Sequence, residues 1–121
     1  MNSTNPRLPL RWTRLLRLSS IALAFAPCLS WAVTHSGYQV DSVRPGGDRP
    51  CTLFTLVGVS QSDPVAPGSS WFSIPQTTTG YKEMVATLLV AKAAGRTVDV
   101  ITTGAVPAEC GHPGVSVILL H

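Results

Sequence analysis

The sequence predicts a mostly β domain with one helix, in the order β-β-β-α-β-β, and that order fits a small OB-type Greek-key barrel. Two observations carry the prediction. Short runs of β-branched and aromatic residues are separated by clusters of Gly and Pro, the pattern of strands and turns. A single segment with helical spacing, within the loop-helix-strand stretch from Ile74 to Val100, lies between the third and fourth of these runs. A split sheet with one helix packed across it has the same ingredients and is the alternative arrangement.

Taken in order, Tyr38 to Val43 (YQVDSV) alternates weakly and reads as the first strand. Arg44 to Pro50 (RPGGDRP) is a turn cluster, with two prolines and a Gly-Gly pair. Cys51 to Val59 (CTLFTLVGV) is short and apolar enough for a strand buried on much of both faces. Ser60 to Ser70 is a polar loop, and Trp71 to Ile74 is a short strand ended by Pro75. Thr77 to Thr79 offer an N-cap hydroxyl to the helix, with Gly80 at the turn. Tyr81, Val85, Leu88 and Leu89 recur at helical spacing, widened by Met84 and Ala91 into an apolar stripe. Gly95 is placed to end the helix in the left-handed conformation. Arg96 to Thr102 alternates Val98 and Val100 against Thr97 and Asp99, and Val115 to Leu120 (VSVILL) is the last strand.

Residues 1–32 read as a secretory signal peptide preceding a single domain at 33–121. Arg7, Arg11, Arg14 and Arg17 form a basic start without any acid, an apolar run spans Leu18 to Leu29, and Ser30-Trp31-Ala32 places small residues at −3 and −1 of a cut before Val33. The apolar run falls short of the roughly 20 residues that span a bilayer, so no membrane span is expected in the mature chain. The cut also reverses the charge. The whole chain carries +3, but residues 33–121 hold five basic residues (Arg44, Arg49, Lys82, Lys92, Arg96) against six acidic ones, a net of −1. No clustered Lys/Arg footprint of nucleic-acid binding is left. Of the three cysteines, Cys28 falls in the leader, and Cys51 with Cys110 forms the expected disulfide of an exported protein, closing a loop of roughly 60 residues. Export would end in the periplasm or outside the cell.

Candidates for chemistry are few. Cys110-Gly111-His112 pairs two metal-ligand types, but a zinc site needs about four ligands and there is no second Cys/His pair. The reading is a disulfide next to a loop histidine, with no metal and no cofactor. Asp48 and Asp63 sit in turn contexts that use carboxylates for backbone hydrogen bonds. Glu83 suits the first helical turn. Asp99 is a carboxylate inside a strand, read as solvent-facing. No phosphate loop or nucleophile elbow is present, so the chain is not read as an enzyme. Trp71, Phe72 and Tyr81 read first as core, although an aromatic beside polar loops also makes a sugar site.

With these blocks in place, the chain resembles the B subunits of subtilase-cytotoxin-like and pertussis-like AB toxins. One part of the likeness is Ser36-Gly37 opening the first strand, Gly46 in the following turn, and Phe54 with Gly58 in the second. The other is Trp71 through Val100: a Trp-containing strand, a loop, a helix, a Gly-x-x-Val turn at Gly95 to Val98, and a strand. The resemblance implies an OB fold, a role in glycan binding and virulence, a homopentamer whose helices line a central pore, and a catalytic A chain as partner. It also implies that Ser36 contacts the ligand, a glycan or cell-surface glycoprotein. The family's second-strand carboxylate falls at Val57, which accepts no sugar hydroxyl, and its second-strand cysteine falls near Thr55. The expectation is therefore an exported, non-catalytic binding module that recognises glycan. The competing reading is a small periplasmic structural or protein-interaction domain without a small-molecule ligand.

Overall fold

A computed structural model describes residues 31–121. Apart from Trp31 and Ala32, the leader expected over residues 1–32 lies outside the described residues. The elements are β1 (Thr34–Pro45), β2 (Cys51–Leu56), β3 (Phe72–Pro75), α1 (Tyr81–Ala94), β4 (Thr97–Thr102) and β5 (Val115–Leu120), the order expected from sequence. They form one five-stranded antiparallel sheet in the order β3-β2-β1-β4-β5.

β1 is the hinge of this sheet. Its first half pairs with β4, from Thr34 opposite Ile101 to Gln39 opposite Thr97. Its second half pairs with β2, from Val40 opposite Leu56 to Pro45 opposite Thr52. An irregularity between Val40 and Ser42 marks the change of partner, as expected where a bulge bends a strand. The strand is longer than the alternation at Tyr38 to Val43 indicates. The added positions, Thr34 to Gly37 and Arg44 to Pro45, carry no large apolar side chain and are mostly exposed, so hydrophobic period does not mark them.

The barrel is not closed. β3 approaches the chain just before β5 through a single parallel bridge, Ser73 to Gly114, with Ser73 N–H donating to the Pro113 carbonyl at 2.8 Å. Across this gap lies α1, which contacts both edge strands as well as β1 and β4. Leu88 and Ala91 of α1 are fully buried in a core shared with Val40, Phe54, Leu56, Phe72, Ile74, Val98, Val100 and Val115. Phe54 and Phe72 stack there with ring centroids 5.0 Å apart. Every residue of β2 is buried, Thr52 and Thr55 included, as expected for a β-branched and aromatic run covered on both faces. Val98 and Val100 point inward along β4 as the alternation requires.

Two features of the helix differ from expectation. Its N-cap is Gly80, in the left-handed region at φ 77°, with no side-chain cap, so none of Thr77, Thr78 or Thr79 supplies the hydroxyl. Leu89 is half exposed, as is Val90, because the core face runs through Leu88 and Ala91 with Tyr81, Met84 and Val85 alongside. At the other end Gly95 takes φ 65°, and its N–H reaches back to the last carbonyls as a C′ glycine does.

Candidate functional site

The turn between β1 and β2 and the long loop before β5 are tied together by the Cys51–Cys110 disulfide, with a Cα–Cα distance of 5.8 Å. Both cysteines are fully buried, packed with Leu53 and the half-buried Trp71. In an OB-type barrel the corresponding end is the one at which loops 1–2 and 4–5 flank the face of strands 2 and 3. Cys51 opens β2 and Trp71 precedes β3, so the disulfide and the indole sit where the two loops meet. Gly46 is needed for the turn to close. A Cβ there would lie 2.2 Å from the Cys51 carbonyl oxygen and 2.3 Å from that of Arg49.

Polar side chains collect around Trp71. The His112 ring lies 6.4 Å from the indole, centroid to centroid, tilted by 48°. His112 Nδ1 is hydrogen-bonded to Ser69 Oγ at 3.2 Å, and the same Oγ accepts the Trp71 N–H at 3.4 Å. Arg49 Nη1 donates to the Cys110 carbonyl at 2.8 Å, fixing the guanidinium across the two loops. Asp48 lies between Arg49 and Arg44, with ion-pair distances of 3.7 and 3.6 Å. These pairs are exposed and add little stability. Burial, and then the nearby charges of Arg49 and Arg44, hold His112 below the ordinary imidazole value of 6.5, so the ring is neutral at pH 7. A neutral imidazole and a hydroxyl beside an indole, with the Arg49 guanidinium on the neighbouring turn, offer donors and acceptors next to an apolar plate. This set can bind a ligand that has both hydroxyls and an apolar face.

Ser36 lies elsewhere in the hydrogen-bond network. It is exposed, in an irregularity of the β1–β4 pairing between His35 and Tyr38. Asp99 fills the register opposite. Its Oδ1 accepts the Gly37 N–H at 2.8 Å, and its Oδ2 is 2.6 Å from His121 Nε2. The strand carboxylate read as solvent-facing is thus committed on both oxygens. The His121 hydrogen bond, followed by that from Gly37, lowers its pKa below 3.8. Among the described residues, no hydrogen bond joins this group to the Trp71–His112 group.

The remaining aromatics are structural. Phe72 is fully buried, and the Tyr81 hydroxyl is hydrogen-bonded to Thr52 Oγ1 at 2.7 Å. His35 lies edge-on to Phe72 at 5.3 Å with Nε2 2.7 Å from the Ser62 carbonyl. Among the described residues no group of three or more His, Cys, Asp or Glu is placed to hold a metal ion, and no helix is long and apolar enough to cross a membrane. The assembly around Trp71 draws on residues from positions 44 to 112 and on three loops. Only the indole beside polar sequence hinted at it. The chain matches no known family model and no curated protein.

Proposed function

We propose that the protein is an exported, non-catalytic binding module that recognises glycan through the surface around Trp71. The observation that carries this reading is the cluster of Trp71, His112, Ser69 and Arg49 on loops joined by the Cys51–Cys110 disulfide. The indole gives an apolar plate for a sugar ring, and the three polar groups give hydrogen bonds to hydroxyls. OB-type barrels bind oligosaccharides at this end. The disulfide fits an oxidising compartment, and with it the periplasm or the cell exterior. The resemblance to AB-toxin B subunits adds a sialylated glycan as ligand, with Ser36 as a contact.

Glycan-array binding by residues 33–121 tests the reading, with His112→Ala and Ser36→Ala variants to place the ligand. Binding lost in His112→Ala and kept in Ser36→Ala assigns the Trp71 surface. The reverse assigns the β1 irregularity, and no binding to any glycan removes the proposal.

One observation favours a second reading, a protein-interaction domain. Leu89 and Val90 of α1 and Val117, Leu119 and Leu120 of β5 are large apolar side chains left exposed. An exposed apolar strand is a ready surface for another chain. A homopentamer, with or without a catalytic A chain, is the form the family resemblance supports. Native mass measurement at micromolar concentration tests it, and a species at one subunit mass counts against it.

A further inference from the structure

A second polar assembly, at the start of β1, takes no part in the surface around Trp71. Val33 N–H donates to Thr102 Oγ1 at 2.9 Å, and Thr102 N–H donates back to the Val33 carbonyl at 2.9 Å. The Thr102 hydroxyl in turn donates to Asp63 Oδ2 at 2.6 Å. Thr102 is fully buried and Asp63 is only 3% exposed. Asp63 Oδ1 accepts the Val65 N–H at 2.9 Å. None of the ion pairs among the described residues includes Asp63. A buried carboxylate held by neutral donors alone remains costly until a positive charge joins it. The nitrogen at the far end of the relay belongs to the residue that would follow the leader cut.

We infer that Asp63 and Thr102 form a receptor for the α-ammonium of Val33, so that removal of residues 1–32 places a positive charge where the fold holds a buried negative one. The inference rests on the reading of a cut before Val33. Hydrolysis of the Ala32–Val33 peptide bond by an external peptidase consumes one water and leaves a carboxylate on Ala32 and an ammonium on Val33. The uncut chain has a neutral amide at this position. An ammonium has three donors. One keeps the bond to Thr102 Oγ1, whose own hydroxyl bonds the Asp63 carboxylate, so the charge is coupled to Asp63 through Thr102. Trp31 and Ala32 border an open cleft with Pro64, Val65 and Gly104 beside Asp63, and they leave with the leader. Processing would thus fasten the new N-terminus to β4 and to the loop after β2, and the exported form would be the more stable one.

Residues 33–121 prepared by semisynthesis, with a free or an acetylated Val33 nitrogen, test this in both Asp63 and Asp63→Asn backgrounds. Acetylation reproduces the neutral amide of the uncut chain. With Asp63 present it should lower Tm by roughly 5 °C, and with Asp63→Asn by under about 1 °C. Equal effects in the two backgrounds, or none with Asp63, overturn the inference. A second readout does not need the variant. At a pH below the ordinary α-amine range, the Val33 amine of the folded protein should react with an acylating reagent about tenfold more slowly than that of the urea-unfolded chain, because an ammonium held by a carboxylate gives up its proton less readily. Similar rates in the two states overturn the receptor. N-terminal sequencing of the exported protein reads the cut by itself. A terminus other than Val33 overturns the device in the natural protein even if the synthetic ammonium is held, which separates the two failures.

Discussion

Replacing both cysteines, in a Cys51→Ala/Cys110→Ala variant, perturbs the fold and the site at one point. The bridge spans a sequence separation of 59. In the chain-entropy treatment a loop of that length restricts the unfolded chain by about 4 kcal/mol at 25 °C. Small domains have total stabilities of about 5–15 kcal/mol, so the variant should stand near the edge of folding. The two side chains are fully buried against Leu53 and Trp71, so their loss also loosens the packing beneath the indole. Urea unfolding at 25 °C, followed by far-UV circular dichroism, should give a loss of about 3–4 kcal/mol and a Tm at least roughly 15 °C lower. Reduced wild-type protein should show a similar loss. Ligand binding should weaken under conditions where the variant is still folded, because Arg49 and His112 are positioned from the two sides of the bridge. A loss below about 1 kcal/mol would refute the reasoning, since the loop would then be restrained by something other than the disulfide.

Phe54→Ala removes a fully buried ring stacked on Phe72 and should cost about 3–5 kcal/mol in the same urea assay. Gly46→Ala drives a methyl into the Cys51 and Arg49 carbonyls and should cost about 1–3 kcal/mol or more, whereas Gly47→Ala, with nothing within 4 Å, should leave the urea midpoint nearly unchanged. For His112 the folded value lies below the unfolded one, so the folded chain binds fewer protons. Stability therefore falls as the pH drops below 6.5 and levels off below the folded value. Arg49→Gln should move the His112 titration upward toward 6.5, read from its ring proton shifts by NMR, and an unmoved midpoint would remove the guanidinium as a cause. Asp99 has a lowered value, so its contribution is present above the unfolded value and is lost as the pH falls through the folded one. Carboxyl NMR should place its midpoint below 3.8, moving upward in His121→Ala.

The fold was largely legible because its signals are local. Alternation at Val98 and Val100, the β-branched and aromatic run from Cys51 to Val59, of which Cys51 to Leu56 form β2, and Gly95 after the helix each act within a few residues. The helix start at Gly80-Tyr81 was legible but its cap was not, since a left-handed Gly80 caps without a side chain and the hydroxyls of Thr77 to Thr79 go unused. Leu89 was misplaced because Leu88, Leu89 and Val90 are all apolar, and periodicity alone does not select which of them faces the core. Cysteine count together with the leader expected over residues 1–32 pointed to the disulfide. The polar assemblies depend on pairs far apart in sequence. His112 meets Ser69 across 43 positions, and Thr102 meets Asp63 across 39. No spacing rule encodes such contacts. Asp99 does face outward, opposite the buried Val98 and Val100, but its partners Gly37 in β1 and His121 just after β5 are brought to it by the register, which no local pattern shows.

The three tryptophans of the sequence are Trp12, Trp31 and Trp71, so residues 33–121 keep Trp71 alone. Its emission therefore reports from the middle of the proposed site. Titrating that chain with sialyllactose, and with lactose as the uncharged comparison, measures glycan binding there directly. Trp71 emission should change saturably at millimolar or lower concentration, with the change weakened in Arg49→Gln and lost in His112→Ala. Emission unchanged by either sugar, in a chain that unfolds cooperatively and so is known to be folded, would contradict glycan binding at Trp71.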